Sequence, residues 1–134
     1  MENFSIGILT WKSPLTLKNT LESYRKNGLL QLTDDITVFA QDVSVEDIEV
    51  AEEYGIPSII GIRENIGIGK AFNRLFEDAK YDKVMILEND WVLIEDKATT
   101  ERVIKETIAA LDGIVHFARL RHVKNPGLTG SPGR

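Results

Sequence analysis

The chain has 134 residues, of which 43% are apolar and 28% charged, with a formal charge of -5 and no cysteine. That is one domain's worth of ordinary globular sequence, which excludes wholesale disorder, disulfide frameworks, thiolate zinc sites and cysteine nucleophiles. The net negative charge argues against long nucleic acid as a partner, so an anionic ligand must be held locally. No apolar run approaches the roughly 20 residues that cross a bilayer, and the start Met1-Glu2-Asn3 lacks the basic flank of a signal peptide. The expectation is a soluble, cytoplasmic protein.

In chain order, Phe4 to Thr10 is a short apolar run and predicts a strand. Ser13-Pro14 follows as a cap with proline at the first helical position, and Leu17, Leu21 and Tyr24 share one helical face as far as Asn27-Gly28. Ile36 to Ala40 predicts a second strand, and Ser44-Val45-Glu46-Asp47 a capping box before Ile48 and Ala51, closed by Gly55 and Pro57. Ser58 to Ile62 predicts a third strand. From about Gly67 the period becomes helical, with Phe72, Leu75, Phe76 and Ala79 on one face. Lys83 to Leu87 predicts a fourth strand without alternation, the pattern of a parallel strand covered on both faces. Thr99 or Thr100 caps a further helix using Val103, Ile104, Ile108 and Leu111 up to Gly113, and Ile114 to Leu120 predicts strand five.

This alternation predicts an α/β fold: a doubly wound, mostly parallel sheet with helices on both faces, forming one domain over residues 1–124. Residues 125–134 are rich in proline and glycine and read either as a tail or as the first loop of a second half. Doubly wound sheets bind ligands beyond the carboxyl ends of their strands, where strand order reverses. The residues to watch are therefore Thr10, Trp11 and Lys12, then Gln41 and Asp42, then Arg63 to Gly69, and finally Glu88, Asn89 and Asp90.

Glu88-Asn89-Asp90 carries the most weight, because two carboxylates at a strand's mouth can share a hard divalent cation that also binds diphosphate. Turn formation is the structural alternative for such a triplet. Asn65 to Asn73 is a glycine-rich turn running into a helix, whose free amides can face an anion. It is neither a phosphate loop nor a dinucleotide fingerprint. Ala71 follows Gly69-Lys70 where serine or threonine is needed, Glu64 replaces the earlier glycine, and Phe72 stands in the third glycine's place.

Together, the first strand ending in Thr10-Trp11, the Gln41-Asp42 pair, the Asn65-x-Gly67-x-x-x-Ala71-x-Asn73 run and the acidic triplet resemble the GT-A glycosyltransferases, in particular the family-2-like group, over roughly Phe4 to Leu120. The resemblance implies the nucleotide-sugar-binding half of that fold, with transfer of a sugar from a nucleoside-diphosphate donor. It implies a manganese or magnesium ion at Asp90, with Glu88 at the position near the ribose or a metal-bound water. Thr10 and Trp11 would border base and ribose, with Trp11 either stacking or covering an apolar edge, and Asp42 would approach the base. Arg63 would contact the nucleotide, and Gln41, Asn65, Gly67, Lys70 and Asn89 complete the implied donor site. The implied partners are a nucleotide sugar, a UDP-sugar ahead of a GDP-sugar, and a glycan, protein or lipid acceptor. No acceptor base is identifiable.

The rival reading is a non-catalytic α/β module that binds nucleotide or metal, including a donor-binding fragment without turnover. A signalling receiver or an aspartyl phosphatase needs acidic residues at the end of strand one, and Ile8-Leu9-Thr10-Trp11 has none. His116 reads as a core histidine, His122 lacks a metal-ligand partner, and Arg119, Arg121 and Lys124 read as charges on an edge strand. The acidic stretch Glu46 to Glu53 reads as a solvent face, and no Gly-x-Ser-x-Gly elbow occurs.

Overall fold

The computed structural model describes residues 2–110 and 123–124. The helix end at Leu111 and Gly113, the strand expected over Ile114 to Leu120, both histidines and the stretch 125–134 lie outside the described residues. The elements run β1 (Ser5–Trp11), α1 (Pro14–Lys26), β2 (Asp35–Gln41), α2 (Val45–Glu53), β3 (Ser58–Gly61), α3 (Ile68–Asp78), β4 (Val84–Glu88), β5 (Trp91–Val92), α4 (Lys97–Ala110) and β6 (Val123–Lys124), with a short 3-10 turn at Leu29–Gln31. The first four strands form a parallel sheet in the order β3-β2-β1-β4, while β5 and β6 pair antiparallel. The doubly wound expectation therefore holds, and the order reverses between β1 and β4.

Side-chain alternation divides the core into two layers. Ile6 and Ile8 of β1, Ile36 and Val38 of β2 and Leu87 of β4 bury against Leu17, Leu21 and Tyr24 of α1, Ala51 of α2, and Ile104 and Ile108 of α4. The other face holds Leu9, Phe39, Ala71 and Leu75, so among the described helices α3 alone contributes to that buried cluster. Helices α1 and α2 thus link strands moving one way along the sheet, and α3 returns on the opposite face to start β4, as right-handed crossovers require. Gly7 is part of this arrangement: a Cβ there would meet Leu75 Cδ2 at 3.0 Å, so glycine lets α3 lie close on β1.

Local chemistry sets most of the boundaries. The capping box of α2 forms as expected, with Ser44 Oγ accepting from Asp47 N at 3.3 Å and Asp47 Oδ2 accepting from Ser44 N at 3.0 Å. At α1, proline starts the helix as expected, but Ser13 makes no side-chain cap bond; its hydroxyl donates to Thr16 Oγ1 at 2.7 Å. In α3 the buried pair is Ala71 and Leu75, Phe72 is half-buried, Phe76 is 52% exposed and Ala79 lies past the last turn, because the helix crosses the sheet on a narrower stripe than the periodicity implied.

Neither threonine caps α4. Asp96 does so, its Oδ1 accepting from Thr99 N at 2.8 Å, while its carbonyl accepts from Thr100 N. The Thr99 backbone bond first, then a bond from the Thr99 side chain, holds the Asp96 carboxyl below its ordinary range. A depressed carboxyl contributes stability that is complete above its unfolded value and is lost as pH falls through the folded one. The start of α4 is therefore expected to fray on acidification below the ordinary carboxylate range, with faster amide exchange at Thr99. Asp96→Asn should remove that pH dependence.

Candidate functional site

The carboxyl ends of β1, β2 and β4 bring the predicted residues to one edge of the sheet. Trp11 pairs in register with Gln41, and the next residue of each strand leaves at positive φ: Lys12 at 50° and Asp42 at 47°. For non-glycine residues this conformation costs on the order of 1 kcal/mol each, so the two sharp exits are held by their surroundings. They bring Trp11 Nε1 to donate to Asp42 Oδ2 at 2.6 Å, with Lys12 Nζ 5.5 Å from the indole centroid. Trp11 remains 49% exposed, so a broad aromatic surface faces solvent beside a carboxylate that keeps a second oxygen.

At the β1–β4 reversal, Asn89 continues the ladder by donating its N–H to Leu9 O at 2.9 Å. Its side chain donates to the buried Thr10 hydroxyl at 3.0 Å. Asn89 and Thr10 are thus tied to each other across the crevice. Glu88 is buried and pairs in register with Leu9, which belongs to the α3 side of the sheet; Asp90 instead lies beside Tyr24 of α1. Glu88 thus ends the paired part of β4, and the turn that follows it carries Asp90.

Asp90 is the most unusual residue of this edge. Its side chain is 1% exposed, and both carboxylate oxygens are buried without a hydrogen-bond donor. Burying a carboxylate in that way is costly unless a cation or donor arrives to meet it. The neighbouring Tyr24 hydroxyl is turned away, donating to Trp91 O at 2.6 Å. Burial, and then the charge of Asp90, push the Tyr24 phenol far above its ordinary range, so it stays a donor.

The glycine-rich turn is more structural than its composition suggested. Gln41 is buried, and its Oε1 accepts from Ile66 N at 2.7 Å; Asn65 Oδ1 accepts from Gly67 N at 2.8 Å. Both side chains shape the loop that carries the chain into α3. Gly67 sits at φ 86°, which only glycine adopts freely, while Arg63 and Lys70 are exposed. The structure therefore groups Thr10, Trp11, Asp42, Asn89 and Asp90 by direct contact or adjacency, and sets Arg63, Asn65, Gly67 and Lys70 along the neighbouring loop and helix start.

A divalent ion was expected here, and the donor set can be tested against one. Among the described residues no group of three or more His, Cys, Asp and Glu side chains is placed to hold a metal. A magnesium-like ion that takes one carboxylate, and fills its shell with diphosphate oxygens and water, needs no such group. The two donor-free oxygens of Asp90 fit that single-carboxylate role.

An open parallel sheet of this order, with helices on both faces and polar residues gathered at its reversal, is a Rossmann-like α/β core of the kind found in GT-A glycosyltransferases. No protein-family model matches the chain, and no curated protein matches it significantly. Among solved structures it is similar to TarS of S. aureus (residues 1–349), a GT-A-type glycosyltransferase, with a TM-score of 0.64 and 20% identity. The match covers 83% of this chain and 32% of that one, so the chain spans about a third of the TarS structure. At that identity the likeness is one of fold. Among the described residues no helix is long and apolar enough to cross a membrane.

Proposed function

We propose that this chain binds the donor in a glycosyltransferase, holding a nucleoside-diphosphate sugar, UDP-linked ahead of GDP-linked, for transfer to a glycan, protein or lipid acceptor. The observation that carries the reading is Asp90: a buried carboxylate with two donor-free oxygens, at the point where a GT-A-type sheet reverses its strand order. Asp90 would hold a manganese or magnesium ion, which when bound supplies positive charge against the leaving diphosphate. The remaining roles belong to the chain's own groups. Trp11 offers its exposed indole face to the base, and Asp42, with one oxygen occupied by the indole N–H, keeps the other as an acceptor for a base N–H. Thr10 and Asn89, bonded to each other, fix the spacing between the two sides of the crevice.

Trp11 makes this testable without turnover. Titrating UDP, GDP and ADP in the presence of manganese should quench the emission of Trp11, and Trp11→Phe should lose that response. Binding without manganese equal to binding with it, or no quench by any nucleotide, would count against the proposal.

A further inference from the structure

The residues that secure the Asp90 turn come from a stripe of α1 that carries no recognised motif. Thr20 Oγ1 donates to Asn89 O at 2.6 Å, and Tyr24 Oη donates to Trp91 O at 2.6 Å. Ser23 Oγ accepts from Leu93 N at 3.0 Å, and Asn27 Nδ2 donates to Leu93 O at 3.0 Å. Ser23 Oγ is itself anchored, donating to Thr20 O at 2.7 Å. These positions follow the helical spacing i, i+3, i+4, i+7, so one face of α1, continued to its C-cap Asn27, meets the backbone of residues 89, 91 and 93 in turn. Thr20 and Tyr24 are buried at 0% and 1% exposure, which makes their bonds costly to lose. All four ties from α1 go to main chain of this stretch, and neither oxygen of the Asp90 carboxylate between them has a hydrogen-bond donor.

We propose that this polar stripe of α1 is a rail that positions the Asp90 carboxylate, with Thr20 and Tyr24 as its principal positioning residues. The inference rests on the reading of Asp90 as the anchor for a divalent ion. Its physical basis is that a single carboxylate sharing an ion with a substrate has no second protein ligand to correct its placement, so the surrounding bonds must supply the precision. A helix face is stiff, and four bonds at alternate residues leave the turn little freedom to rotate Asp90 away.

The test uses Thr20→Val, which keeps the side-chain shape and removes the hydroxyl, Thr20→Ser, which restores the hydroxyl, and Tyr24→Phe. In the metal-free protein, amide exchange at Leu93 is expected to speed up about tenfold in Thr20→Val and Tyr24→Phe, while amides of β2 are unchanged and Thr20→Ser behaves as wild type. The manganese concentration giving half-maximal UDP binding should rise about tenfold in the same two variants and recover in Thr20→Ser. A uniform loss of exchange protection, or a Thr20→Ser variant no better than Thr20→Val, would reduce the stripe to ordinary packing and overturn the rail. Wild type binding UDP with manganese while all three variants bind equally well would also overturn it, and would leave the proposed function intact. Wild type indifferent to manganese would instead bring down the proposed function, and the purpose of the rail with it.

Discussion

Asp90→Asn is expected to abolish manganese-dependent nucleotide binding, weakening it by more than about 100-fold, while making the fold more stable. Both effects follow from one feature. The carboxylate is 1% exposed and neither oxygen receives a hydrogen bond, so folding without a bound cation removes a charge from water and gives nothing back. Asparagine keeps the shape and removes the charge. Its amide is still poorly satisfied, at a cost of about 1–3 kcal/mol, but this is smaller than the penalty on an unpaired buried ion, which amounts to several kcal/mol. The net gain should be about 1–3 kcal/mol, read as a rise in the urea midpoint of the metal-free protein with an unchanged slope. Sites kept for function commonly carry this kind of stability deficit. An Asp90→Asn protein that is less stable and still binds nucleotide with manganese would show that the carboxylate is a structural group, and the donor-site reading would fail.

The elements were legible in the sequence wherever a pattern was long enough to have a period. β1 is a run buried on both faces, β4 is an apolar run half-buried from Val84 to Ile86 and buried at Leu87, α1 shows Leu17, Leu21 and Tyr24 at helical spacing, and the Ser44–Asp47 box marks the start of α2 from four residues alone. The misses lie where several residues satisfy the same local rule. Asp96, Thr99 and Thr100 are all good caps, and only the path of the chain from β5 decides that Asp96 takes the role. The two-residue strands β5 and β6 are too short to alternate.

The site was legible in outline for the same reason and obscure in detail for the opposite one. A triplet ending a strand is visible in sequence, but which of its carboxylates is left buried without a hydrogen-bond donor depends on the turn that follows the strand, and that carboxylate is Asp90. Thr20, Ser23 and Asn27 are polar residues that carry no motif in the sequence. Their partners are main-chain groups some 70 residues away, for which no residue type leaves a trace. The one available signal was spacing: these residues fall beside Tyr24 on a continuous stripe, adjoining the core positions of the same helix.

Phe39→Ala should have the largest effect on stability, and an uneven one. Phe39 is fully buried in β2, in register between Leu9 of β1 and Ile60 of β3, and it belongs to the smaller core layer with Ala71 and Leu75 of α3. Removing a buried phenyl ring costs about 3–5 kcal/mol, a large share of the roughly 5–15 kcal/mol that a domain of this size possesses. The opposite layer, where α1 and α4 pack, loses no contact with the ring and has many more buried side chains to sustain it. The deficit should therefore appear first as local opening of α3, with exchange of the Ala71 to Leu75 amides accelerating far more than that of the Leu17 to Tyr24 amides. The loop leading into α3 is tied to β2 by Ile62 N donating to Ala40 O and by Ile66 N donating to Gln41, so it should loosen with the helix. Thr10, Asn89 and Asp90 are held by β1 and α1 and should stay in place. If α1 instead opened together with α3, the two layers would form one cooperative unit, and the edge that carries Asp90 would depend on both faces of the sheet.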